Sequence, residues 1–140
     1  MTRPDPYRNP VAWLRWAYAV LDSPACSGCT SCADKCAGAF GMWREEFIRL
    51  RSAALAASID PGRLDPADEW SPCPFLDPAD RLCLVYPARP LVCRAFGLLP
   101  LLPCPISKAR PLPDALARRI MADYASRPRK TYWQWLDEMP

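Results

Sequence analysis

Four cysteines fall within eleven residues, Cys26-x2-Cys29-x2-Cys32-x3-Cys36, and the residues between them are Ser, Gly, Thr, Ala, Asp and Lys. An isolated cysteine usually serves as a small buried hydrophobe, but four in so polar a stretch cannot all do so. The segment reads as a ligand loop. Sulfurs two residues apart can turn onto a common centre, and the intervening amides can donate to thiolates that would otherwise carry uncompensated charge. Ser27, Gly28, Thr30 and Ser31 are small enough to let the backbone approach.

Four more cysteines, Cys73, Cys83, Cys93 and Cys104, follow at intervals of nine or ten intervening residues, and the chain has no histidine. Met1 to Pro6 contains no apolar leader core, and the first apolar stretch, Val11 to Leu21, is interrupted by Arg15. Leu98 to Ile106 is broken by three prolines and falls far short of the roughly 18 apolar residues that span a bilayer. The expectation is a cytoplasmic protein that does not enter a membrane. A reducing compartment disfavours four disulfides and leaves metal or redox chemistry as the use of the thiols.

With 140 residues, 51% apolar and 24% charged, a single domain is expected over residues 1–140, its core motifs spanning 26–104. Eighteen prolines against five glycines force much of the chain into extended and turning connections. The predicted class is mainly α with a minor β-hairpin, a small irregular domain stapled by metal. The formal charge of +3 counts the thiols as neutral; one site of four thiolates on a divalent ion leaves +1, and two leave −1. Net charge therefore gives little reason to expect a nucleic-acid partner.

Asn9-Pro10 predicts a helix start, Asn as N-cap and Pro at the first helical position, with the helix running over Val11 to Leu21 until Asp22-Ser23-Pro24. Trp13, Trp16, Ala17 and Val20 fall on one face, a stripe more in keeping with core than with a cofactor platform. The spacing of Trp43, Phe47, Leu50, Ala54 and Leu55 predicts a second helix over 42–58, with Arg44, Arg49 and Arg51 toward solvent and Asp60-Pro61-Gly62 ending it. Residues 63–72 read as a polar loop. Cys73 to Leu76 and Leu82 to Tyr86 are apolar runs around Asp77-Pro78-Ala79-Asp80, which predicts the hairpin. A short helix or turn is expected over Leu91 to Phe96, and a helix over Asp114 to Ser126. Thr131 with Gln134 forms a capping box for a last short helix. Arg127-Pro128-Arg129-Lys130 beside Tyr132, Trp133 and Trp135 could stack on a nucleic-acid strand. A solvated linker before an aromatic core helix is the expectation favoured here.

The spacing leaves the metal open. Zinc is usually gripped by two separate Cys-x2-Cys knuckles, whereas successive x2 spacings and a fourth cysteine after x3 match the iron-sulfur run of bacterial ferredoxins. The proline that follows that fourth cysteine is replaced here by Ala37, and the run is not repeated. Around the later cysteines the chain reads Cys73-Pro74-Phe75-Leu76, then Cys83-x2-Tyr86-x2-Arg89-Pro90-Leu91-x-Cys93-Arg94-x-Phe96. With the dense cluster upstream, this resembles the YkgJ-type cysteine-cluster family of zinc- or iron-chelating proteins over about residues 26–104. The resemblance implies Cys26, Cys29, Cys32, Cys36, Cys73, Cys83, Cys93 and Cys104 as ligands. The family's first motif closes on adjacent cysteines, whereas three residues separate Cys32 from Cys36 here.

Arg89 and Arg94 have two open roles: cations beside a thiolate-rich cofactor, raising its reduction potential, or partners of Asp77 or Asp80. With no imidazole, no Gly-rich phosphate loop and no evident carboxylate pair, a free-standing enzyme is not expected. The leading expectation is an iron-sulfur protein acting in electron transfer, redox sensing or as an accessory, with a protein partner that is a redox partner or an enzyme. The alternative is a non-enzymatic zinc module for structure or interaction.

Overall fold

The computed structural model describes residues 2–26, 28–30, 40–60, 73–100, 102–106 and 108–140. The predicted ligand loop at 26–36 therefore lies largely, and the polar loop at 63–72 wholly, outside the described residues.

Helix α1 spans Pro10–Val20, opened as expected by the Asn9 side chain, which accepts from the Ala12 amide at 3.0 Å, and by Pro10 in the first turn. Trp13, Leu14, Trp16 and Ala17 are its buried residues, so the aromatic stripe is core. Helix α2 spans Arg44–Ala56, shorter at both ends than the pattern predicts. Met42 is instead held outside it by antiparallel pairing with Lys130, each amide donating to the other's carbonyl at 2.9 and 3.1 Å. At the far end Ser58 adopts a left-handed φ of 57°, so the helix stops before Pro61.

Helices α3 (Leu91–Ala95), α4 (Asp114–Ala125) and α5 (Tyr132–Glu138) follow. The capping box on α5 is present: the Gln134 amide donates to Thr131 Oγ1 at 3.3 Å and the Thr131 amide to Gln134 Oε1 at 2.8 Å.

The expected hairpin is not formed. Among the described residues there is no strand, and where the hairpin was expected there is a single antiparallel bridge between Leu76 and Cys83. The Asp77 amide donates to Leu82 O and the Leu84 amide to Phe75 O, at 2.9 and 2.8 Å. Extension is blocked because Pro74, Pro78 and Pro87 donate no hydrogen bond and Arg81 turns the chain at a left-handed φ of 61°.

Two apolar clusters dominate the interior. The first gathers Trp13, Trp43 and Tyr124, with Trp13–Trp43 and Trp43–Tyr124 centroids 4.8 and 5.1 Å apart. Trp43 Nε1 donates to Tyr124 O at 2.9 Å, so its polar handle is also satisfied. The second gathers Phe47, Phe75, Tyr132 and Trp135 around Met42. Cys26 and Cys104 pack against the first cluster, Cys73 and Cys83 against the second. The aromatic residues of α5 are buried, and the basic cations before it face the chain's own rings: Arg127 over Trp43, Arg129 over Tyr124 and Lys130 over Trp135. These are the contacts of a linker tied to the core.

Arg127 also grips Glu45 through two nitrogens at 3.1 and 2.9 Å. Partial burial pushes the Glu45 carboxyl up, but the Arg127 hydrogen bond and charge outweigh it and hold the group below its ordinary 4.5. A lowered native value means stability that is present above pH 4.5 and lost as pH falls through the native value. Urea unfolding midpoints are expected to fall across that acid window, and less steeply in Arg127→Met. Equal acid slopes in the two proteins would contradict this.

Candidate metal centre

Cys26 ends a 3-10 turn over Pro24–Cys26, its amide donating to Ser23 O at 2.9 Å. The Cys29 amide returns to Cys26 O at 3.1 Å, a tight turn that needs the left-handed φ of 70° at Gly28. Cys83 is itself one partner of the Leu76–Cys83 bridge, and Cys73 lies just before it, its carbonyl accepting from the Leu76 amide at 3.1 Å. Asp77 and Asp80 shape the turn between them, accepting from the amides of Ala79 and Leu82 at 2.8 and 3.2 Å.

Cys93 sits at the middle of α3. After that helix Gly97, at φ 82°, lets the chain double back, its amide donating to Leu102 O. A Cβ at Gly97 would lie 2.9 Å from Ala109 Cβ and 3.1 Å from Cys104 Cβ, so this glycine is what lets Cys104 approach the chain just beyond α3.

These six cysteines, from stretches far apart in the chain, line one cavity of about 270 Å³. All six are half-buried, and no disulfide joins any two of them. Cys32 and Cys36 lie outside the described residues. Among the described residues no three Cys, Asp or Glu side chains stand close enough to hold one metal ion.

Leu21, Leu76, Val92, Phe96 and Leu102 supply apolar wall, and the charged side chains on the described lining besides the thiols are Arg81, Arg89, Arg94 and Lys108, with no carboxylate. Burial pushes the Cys83 thiol up, while the Val85 amide and the Arg89 charge pull it down. The Lys108 amide donates to Cys104 Sγ at 3.3 Å. Amide donors and cations are what a cluster of thiolates in an apolar wall requires.

Arg89 and Arg94 line the cavity but are not paired with Asp77 or Asp80. Arg89 lies 3.6 Å over the Tyr86 ring and donates from Nε to Tyr86 O at 3.1 Å. Arg94 donates to Arg89 O and Pro87 O at 2.8 and 2.7 Å and lies 4.1 Å over Tyr18. Arg49, read from sequence as a solvent-side residue, reaches the same Pro87 carbonyl at 2.7 Å. Tyr18, Glu46, Gly97 and Lys108 carried no sequence signal of comparable strength. Gly97 was the nearest to legible, as one of five glycines and placed directly after Arg94-Ala95-Phe96.

The donor set is all sulfur, with no imidazole anywhere in the chain. Such soft ligands suit zinc, copper(I) and iron-sulfur clusters, and the cationic, amide-rich wall suits a centre whose ligands are anionic.

No curated protein and no solved structure shows significant similarity to this chain. A family model does: the CxxCxxCC family, described as a "putative zinc- or iron-chelating domain", matches residues 25–110, a span that holds all eight cysteines. With more than half of its length in that match, the chain belongs to the CxxCxxCC family of zinc- or iron-chelating domains.

Proposed function

We propose that this protein ligates an iron-sulfur cluster through its cysteines and works in electron transfer, redox sensing or as an accessory to an enzyme. The observation that carries this is the convergence of the thiols: six described cysteines from separate stretches line one cavity of about 270 Å³, and the successive x2 spacings of Cys26, Cys29 and Cys32 are those of an iron-sulfur run. A multinuclear cluster presents metal atoms at several points and meets cysteines from separate stretches.

When bound, such a cluster supplies one-electron chemistry. The chain's own contribution is to hold it and set its environment. Arg89 and Arg94 would offset thiolate charge and raise the potential, the amides of Val85 and Lys108 would hydrogen-bond ligand sulfurs, and the leucine and phenylalanine wall would limit water. With no carboxylate on the described lining, the chain itself offers no acid-base pair there, and its task is best served by handing electrons or a signal to a protein partner.

Protein purified without oxygen should be brown, with charge-transfer absorbance that bleaches on reduction. A colourless anaerobic preparation carrying stoichiometric zinc would overturn the proposal.

A further inference from the structure

Glu46 occupies the third position of α2 and is 1% exposed. A glutamate there commonly reaches back to cap its own helix, and Oε2 does so, accepting from the Trp43 amide at 2.9 Å and from the Tyr124 hydroxyl. The other oxygen points elsewhere. Oε1 accepts from the Tyr18 hydroxyl at 2.8 Å and from the Leu91 amide, 45 residues away, at 2.6 Å. Burial pushes the Glu46 carboxyl up against the pull of these four donors. Burial and the nearby Glu46 charge in turn push the Tyr18 and Tyr124 phenols far up, so both stay protonated and able to donate.

The Leu91 amide opens α3, which has five residues and carries Cys93 and Arg94. One turn of helix has no stability of its own, so its placement is set by what holds its ends. Tyr18 meanwhile lies under the Arg94 guanidinium. One carboxylate oxygen is thereby bonded to the start of the helix that bears a cavity thiol and to the ring beneath a cavity cation.

We infer that Glu46 is a positioning residue of the thiol cavity, anchoring α3 through the Leu91 amide and Arg94 through Tyr18, beyond its capping of α2. The inference rests on the proposal that the cavity holds metal, and its test is built so that the two can fail separately.

Tyr18→Phe keeps the ring and removes one donor to Oε1. Glu46→Gln cannot accept at all four positions, because its amide nitrogen has no lone pair to offer. Ala54→Gly weakens α2 without touching Glu46 and serves as the control for general destabilisation. Two quantities are read: metal release from anaerobically loaded protein to EDTA, and iodoacetamide alkylation of Cys93 and Cys26 in metal-free protein, resolved by mass spectrometry.

Faster metal release in Glu46→Gln, about tenfold as for loss of an outer-shell partner, is expected together with faster alkylation of Cys93 but not of Cys26. Tyr18→Phe should move both quantities in the same direction, and it carries the test if Glu46→Gln does not fold. Wild-type rates in a folded variant, or an Ala54→Gly control that changes as much, would overturn the inference. Should the wild type hold no metal, the proposed function fails while the alkylation pattern still decides the role of Glu46.

Discussion

Replacing Gly97 by alanine is expected to lower stability by about 2–5 kcal/mol and to reduce the metal held per chain. Two penalties act together. An L-residue at φ 82° costs about 1–2 kcal/mol, and the new methyl would stand 2.9 Å from Ala109 Cβ and 3.1 Å from Cys104 Cβ. Relief of such overpacking costs about 1–3 kcal/mol and must move either Ala109, which is buried in the first apolar cluster, or Cys104. Since Cys104 is the less enclosed of the two, the cavity should yield first. Urea unfolding and metal analysis of Gly97→Ala check both halves. A variant with wild-type stability and wild-type metal content would show that the chain leaves α3 by another path.

The second large effect is expected from serine at single cysteines drawn from different stretches. Cys26, Cys73 and Cys104 belong to separate parts of the chain, Cys26 and Cys104 packing against the first apolar cluster and Cys73 against the second, yet they line one cavity. If they serve one centre, each of Cys26→Ser, Cys73→Ser and Cys104→Ser should lose more than half of the bound metal. Each should also unfold at lower denaturant, because metal binding to the native state contributes directly to its stability. Retention of full metal by any one of the three would remove that residue from the centre.

The helices were largely legible because their signals are local. Asn9-Pro10 and the Thr131-Gln134 box are short-range hydrogen-bonding devices, and both work as the sequence implies. The hairpin does not form because two short apolar runs around a turn describe its sides but not its ladder. Prolines and a left-handed Arg81 leave a single bridge. The ends of α2 shifted for a similar reason: pairing of Met42 with Lys130 is a contact across 88 residues that no periodicity encodes.

The candidate site was legible in its chemistry and not in its surroundings. Cysteine spacing pointed to sulfur ligation, and the Arg-Pro-Leu-x-Cys-Arg-x-Phe stretch pointed to the family. What sequence could not show is that Arg89 and Arg94 bind carbonyls and stack on Tyr86 and Tyr18, leaving Asp77 and Asp80 to their own turn. Nor could it single out Glu46. A glutamate in the first turn of a helix is ordinary, and only the burial of both oxygens against α1, α3 and α4 makes it distinctive.

X-ray absorption at the iron edge, on protein prepared without oxygen, tests the central claim most directly. A first shell of sulfur with a metal neighbour just beyond it is the predicted result, the signature of several irons bridged within one thiol-lined cavity. An isolated ion with sulfur ligands and no metal neighbour, or protein whose only metal is zinc, would contradict it.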